Sequence, residues 1–320
     1  MALDPALAAI RLSVRRGLGE ARTVLVACSG GADSLALLAA TVFETRRGEV
    51  RVIGATVDHG LQAASDQHAA AVVAQMAALG VDETATVRVT VDPGSVGIEA
   101  GARQARYAAL GGLAANLGAD LVLLGHTRDD QAETVLLGLA RGSGGRSLTG
   151  MHPERDLDGV LVRRPLLGIT RAQTEAACRA EGIAWWEDPH NSDDGFARVR
   201  VRRTVLPVLE TELGPGVAAA LARTGEQLRA DMDFLDDHAT LELQGALTDG
   251  VLPLATVLAL PRAIATRVVR LAAIEAGAIV TELTYEHVLA VLEAGNGKEI
   301  QLPGHLTAYR DGGVLRFRRT

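Results

Sequence analysis

Residues 23–40 read TVLVACSGGADSLALLAA, and the reading of this stretch decides the fold. Its first six residues are an apolar, β-branched run of strand length, and its last six are an apolar run of helical character. Between them the chain turns through Ser29-Gly30-Gly31-Ala32-Asp33-Ser34. A strand, a glycine turn and a helix start bring backbone N–H groups together on an anion, and the helix dipole strengthens the attraction. The two glycines let the backbone approach a phosphate closely. Ser29 and Ser34 add hydroxyl donors, and Asp33 can hold a cation. The spacing is neither GxxxxGK(S/T) nor GxGxxG, so neither the Walker loop nor the dinucleotide fingerprint applies.

Outward from this motif, apolar strand-like runs at 50–57, 84–91 and 121–126 alternate with helical patterns at 34–46, 65–79, 99–117 and 130–139. That alternation predicts an α/β fold with a doubly wound parallel sheet, whose ligands bind beyond the carboxyl ends of the strands. RGSGGRSLTG (141–150) breaks any regular element and reads as a mobile or ligand-covering loop. From about residue 217 helical patterns take over (218–243, 262–276, 282–293), followed by a strand-like tail to Phe317. With Gly214, Pro215 and Gly216 as linker, the expected domains are a catalytic 1–215 and a smaller, mainly helical 216–320.

The longest apolar runs are strand-length, far short of the roughly 20 residues a bilayer requires, so no membrane span is expected. The N-terminus has the spacing of an amphipathic helix and no secretory pattern, and a cytoplasmic location is expected. Two cysteines, Cys28 and Cys178, read as small buried hydrophobes, not as a metal cage. With 32 basic against 39 acidic residues the net charge is -7, which argues against non-specific coating of nucleic acid. Only Lys298 among the basic residues is a lysine. Arg198, Arg200, Arg202 and Arg203 crowd into FARVRVRRTVLP (196–207), which contains no acid and is the one candidate phosphate footprint.

The six-residue motif resembles the SGGxDS loop of the N-type ATP pyrophosphatases, which have an adenine nucleotide alpha hydrolase-like fold and cleave ATP between the α and β phosphates. Other segments are similar to tRNA(Ile)-lysidine synthetases in order and spacing: VDHGLQ (57–62), EAGARQARYAAL (99–110), GHTRDDQAET (125–134), Arg141-Gly142, RRPLL (163–167) and EDPHNSDDGFARVRVRRTVLPVLE (187–210). In the last of these, Arg198-Val199 stands where that family often shows Arg-Asn.

The resemblance implies an enzyme that uses ATP, Mg²⁺ and free L-lysine to convert the wobble cytidine of the CAU-anticodon tRNA(Ile) into lysidine. A homodimer is compatible with it. Ser29, Gly30, Gly31, Ala32, Asp33 and Ser34, with Asp58 and His59, would hold the nucleotide. Asp33 and Asp130 would hold the metal, with Asp130 alternatively contacting the lysine amine. His59, His126 and Asp130 are candidates to take the proton that the amine must lose. Arg103 and Arg106 would grip the triphosphate or the lysine carboxylate, and Glu133 lies one helical turn from Asp130. Arg141, Arg198, Arg200, Arg202 and Arg203 would meet substrate or tRNA. Asp129 reads equally as a helix cap, and Trp185 and Trp186 read as core. The competing readings are a tRNA thiolase of the same superfamily and a non-catalytic ATP-binding module.

Overall fold

The computed structural model describes residues 4–58, 60, 65–89, 98–142, 144–157, 159–188, 193–247 and 251–320, with the backbone alone at 98–100. The chain divides into two compact units, Met1–Leu137 with Gly150–Arg223, and Gly138–Thr149 with Thr224–Thr320.

The first unit opens on α1 (Pro5–Leu18), whose first turn is closed by the Asp4 carboxylate accepting from the N–H of Ala6 at 2.8 Å. Then follow β1 (Thr23–Ala27), α2 (Ala32–Thr45), β2 (Arg51–Asp58), α3 (Ser65–Ala78), β3 (Glu83–Arg88), α4 (Ile98–Leu117), β4 (Leu121–Leu123) and α5 (Arg128–Arg141). Strands β5 (Glu154–Leu157) and β6 (Val160–Arg163) precede α6 (Arg171–Ala180). Helix α7 (Ala197–Arg200) runs through a π-helical turn (Val201–Val205) into α8 (Leu206–Glu212).

The sheet order is β3-β2-β1-β4-β6-β5, parallel except for β5, which pairs antiparallel with β6. This is the doubly wound α/β sheet anticipated from the alternation. The β5–β6 pair was not read from the sequence. Central β1 is buried on both faces and alternates between two cores. Val24 and Val26 pack with α1, α2 and α6, while Leu25 packs with Leu110 and Ala114 of α4. Full burial of side chains such as Leu25, Leu35 and Leu38 contributes roughly 1.5–3 kcal/mol each. The direction of winding reverses between neighbours β1 and β4, and a sheet binds its ligands at such a switch point.

The second unit has its own core, built on α9 (Val217–Ala246), α10 (Leu254–Ala259), α11 (Arg262–Glu275) and α12 (Tyr285–Glu293). It also carries an antiparallel sheet of β7 (Leu252–Pro253), β8 (Glu299–Leu302), β9 (Leu306–Asp311) and β10 (Val314–Arg319), in the order β7-β10-β9-β8. The strand-like tail is therefore most of a sheet. The 142–150 segment, expected to be mobile, contains a 3₁₀ turn at Gly145–Leu148, and Arg146 is anchored by Asp233 at 2.6 Å and by Asp236. Among the described residues no single helix is long and apolar enough to cross a membrane.

Candidate active site

Helix α2 begins directly after the glycine turn, and its N-cap, Gly31, supplies no side-chain hydrogen bond to the first turn. The opening N–H groups of such a helix are free for an anion. Gly30 has φ +82°, a conformation that favours glycine, and a Cβ there would fall 2.7 Å from Val72 Cγ2. Ser34 accepts from the Ser29 N–H at 3.2 Å and donates to the Gly31 carbonyl at 2.9 Å, so the hydroxyl ties the loop to the helix. The chain after β4 presses against this loop. A Cβ on Gly125 would lie 3.1 Å from the carbonyl of Asp33 and from Ser34 Cα.

Asp33 projects from the first turn of α2 to α6. Its carboxylate accepts from the Thr174 hydroxyl and lies 3.5 Å from Arg171 Nε. Arg171 also reaches Asp130 at 3.1 Å and Glu133 at 3.8 Å. Asp130 accepts from the backbone and hydroxyl of Thr127 at 2.8 and 2.9 Å. The structure therefore brings together three sequence candidates, Asp33, Asp130 and Glu133, through one arginine that sequence reasoning missed. The available signal was Thr170-Arg171-Ala172-Gln173, a capping box directly after the RRPLL segment, which starts a helix at Arg171. Asp129 accepts from the Arg171 N–H at 2.9 Å, so it steadies α6.

The carboxylates differ electrically. Burial pushes Asp33 above the usual carboxylate range, with repulsion from Asp130 adding to it, against the pull of Arg171 and Thr174. Burial also pushes Asp130 upward, but Arg171, the Thr127 N–H and neighbouring cations outweigh it and hold the carboxyl below its ordinary value. Glu133 has a fully buried side chain paired with Arg198 at 3.0 Å and Arg202 at 2.6 Å.

Asp33 is thus short of positive charge and still 23% exposed. Among the described residues no three or more His, Cys, Asp or Glu side chains form a metal cage. Two carboxylates suit Mg²⁺ that completes its shell with phosphate oxygens and water. The residues present fit that ion when it arrives with a nucleotide.

A basic wall adjoins the carboxylates. Tyr107 is buried on α4 and accepts from Arg164 at 2.9 Å, with Arg103 lying 5.4 Å over its ring. Burial lowers the Arg106 value, as do Arg103 and Arg198 nearby, and among the described residues no carboxylate is within ion-pair distance of it. His126 is pushed down to about 3, by burial first and then by Arg164, Arg106 and Arg103, against the attraction of Asp130. Its imidazole is neutral at physiological pH, and its buried Nδ1 lacks a hydrogen-bond partner among the described residues.

Asp58, at the end of β2, is held below the usual range by the Gly60 N–H and by Arg88, each at 2.8–2.9 Å. His59 lies outside the described residues. Arg141 ends α5 and is exposed.

The candidate footprint at 196–207 is divided. Arg198 and Arg202 turn inward to Glu133, whereas Arg200 donates to the carbonyls of Asp194 and Gly195, and Arg203 lies 3.6 Å from Asp194. Of the four arginines expected to meet tRNA or phosphate, two thus face outward and two turn inward, because a buried carboxylate needs counter-charge. Trp185 borders the core as read, but Trp186 instead lies against His68, the rings tilted by 36° with centroids 3.8 Å apart. Both cysteines are buried with thiols pushed up, Cys178 to about 12 by burial and by Asp33. Such thiols make poor nucleophiles, which disfavours the thiolase reading.

Comparison with known proteins follows the same line. The sequence model of the PP-loop domain family matches residues 9–209. The tRNA(Ile)-lysidine synthase of Salinispora arenicola is 48% identical, over 99% of this chain and 96% of that one. Those of Streptomyces coelicolor and Thermobifida fusca are each 46% identical, covering 100% and 97% of this chain and the same shares of their own lengths. Among solved structures, the U34-tRNA thiolase NcsA from Methanococcus maripaludis with its [4Fe-4S] cluster superimposes with TM-score 0.59 at 18% identity, over 70% of this chain and 79% of that one. At that identity the likeness shows the fold alone.

Proposed function

The chain belongs to the tRNA(Ile)-lysidine synthase family, built on a PP-loop domain, and from that premise we propose that it joins free L-lysine to C2 of the wobble cytidine of the CAU-anticodon tRNA(Ile), forming lysidine and changing codon reading from AUG to AUA. It is a ligase that uses ATP and leaves AMP and pyrophosphate. One observation carries the reading: the anion cradle at 29–34 and the carboxylates Asp130 and Glu133 form a single site joined through Arg171.

The cytosine carbonyl oxygen attacks the α-phosphate, pyrophosphate leaves, and the lysine side-chain amine then displaces AMP from C2 of the adenylated cytidine. No protein nucleophile is required, so catalysis rests on positioning and on charge stabilisation. The N–H groups and hydroxyls of residues 29–34 hold the leaving pyrophosphate at the positive end of α2. Asp33 and Asp130 would hold Mg²⁺, which when bound would supply neutralisation of the charge that gathers on the phosphate oxygens. Arg106, with no carboxylate within ion-pair distance among the described residues, takes the α-phosphate or the lysine carboxylate. Asp130 meets the lysine ammonium, and His59, His126 and Asp130 are the candidates to take the proton that the amine loses before it attacks C2. His126, neutral as it stands, keeps its buried Nδ1, which has no partner among the described residues, for a group of the substrate.

Within this reading residues 1–215 do the ATP chemistry, residues 216–320 help to hold tRNA, and the enzyme works in the cytoplasm. The test is incorporation of labelled lysine into a CAU-anticodon tRNA(Ile) transcript with ATP and Mg²⁺, beside a transcript whose wobble C is replaced by U. Label in the first alone is the expected result. ATP cleavage without label in either would redirect the search to another carbonyl substrate.

A further inference from the structure

Each peptide unit is planar, with its C=O and N–H on opposite sides, so fixing one carbonyl fixes the direction of the next residue's N–H. Two carbonyls of the glycine turn are fixed in this way. The Ser29 carbonyl accepts from His68 Nε2 at 3.1 Å, and a carbonyl can only accept, so the imidazole donates. The Gly30 carbonyl accepts from the Trp186 N–H at 2.9 Å. The N–H groups of Gly30 and Gly31 therefore point away from His68 and Trp186. A glycine peptide is the easiest to flip, because glycine tolerates both signs of φ. A flipped Ser29–Gly30 peptide would turn an oxygen, not an N–H, toward a phosphate.

The two anchors brace one another. The His68 and Trp186 rings lie against each other at a 36° tilt with centroids 3.8 Å apart, and Gln75, seven residues beyond His68 on the same face of α3, donates to the Ala184 carbonyl. Val72, between them on that face, is buried against Gly30. One face of α3 thus holds both the glycine turn and the segment carrying Trp186.

We propose that His68, seconded by Trp186, is a positioning residue that locks the peptide planes of the 29–34 loop in the orientation that binds pyrophosphate. The inference rests on the reading of residues 29–34 as the pyrophosphate cradle. His68 acts through the loop, by its hydrogen bond to the Ser29 carbonyl.

Two variants separate the hydrogen bond from the ring: His68→Phe keeps the ring contact with Trp186 and removes the donor, while His68→Gln keeps a donor at similar reach and removes the ring. Inorganic pyrophosphate is titrated calorimetrically into the full-length protein, and KM is measured for ATP and for tRNA. Loss of the one hydrogen bond that orders the Gly30 donor predicts pyrophosphate binding about tenfold weaker in His68→Phe, with a matching rise in the KM for ATP. The KM for tRNA stays unchanged, and His68→Gln recovers most of the loss. Wild-type pyrophosphate affinity in His68→Phe would overturn the inference. So would equal losses in both variants that extend to the KM for tRNA, since those report general damage. If the wild-type protein itself binds no pyrophosphate, the cradle reading fails and the inference falls with it.

Discussion

Asp33 and Glu133 are both carboxylates in one cluster, yet their substitution should have opposite effects on stability. An acid whose pKa is higher folded than unfolded costs stability at neutral pH, and the cost vanishes as pH falls through the raised value. Asp33 is such a group, raised mainly by burial. Asp33→Asn should abolish ATP cleavage while raising the melting temperature of the ligand-free protein at neutral pH. The gain shrinks as pH is lowered. A melting temperature below wild type at neutral pH would contradict the account. Glu133 has a fully buried side chain with two arginines on it, and Glu133→Gln leaves them short of a counter-ion. Because those arginines are about a quarter exposed, the loss should be about 2–3 kcal/mol in urea denaturation, below that of a wholly buried pair.

At the level of elements, α6 matters most for what its first turn carries. The Thr170 hydroxyl accepts from the Gln173 N–H at 3.1 Å, and that turn presents Arg171 and Thr174 to Asp33. Thr170→Ala should cost about 1 kcal/mol in denaturant unfolding and also raise the KM for ATP. A stability loss with unchanged KM would make the cap purely architectural. This helix also marks the limit of what the sequence discloses. The β1–turn–α2 unit was legible because its strand, its glycines and its helix follow one another without interruption from Thr23 to Thr45, and α3, α4 and α5 were placed to within two residues at each end. Arg171, Thr174, His68 and Trp186 were not, because their partners stand far along the chain, 141 residues away for Thr174 and Asp33. The inward turn of Arg198 and Arg202 escaped notice for the same reason. Strands β5 and β6 were hidden by their length, four residues each, too short for alternation to register.

For the whole molecule, charge sets the terms on which it meets a polyanion. With a net charge of -7, binding to tRNA must rely on local cations, and Arg200 and Arg203 face outward where Arg198 and Arg202 do not. Affinity for tRNA should fall steeply with salt, and Arg200→Gln should reduce the slope of log Kd against log salt by about 1. An unchanged slope would remove Arg200 from the interface. The bare first turn of α2 has a consequence of another kind. A helix whose cap is supplied by neither backbone nor side chain is a fold stopped one step short, and its substrate finishes it. Amide hydrogens in residues 31–34 should exchange quickly in the free protein and slow when ATP is added, while those of β1 stay protected throughout. Local folding and nucleotide binding are then a single equilibrium, and the affinity for ATP and the stability of that turn are one quantity seen from two sides.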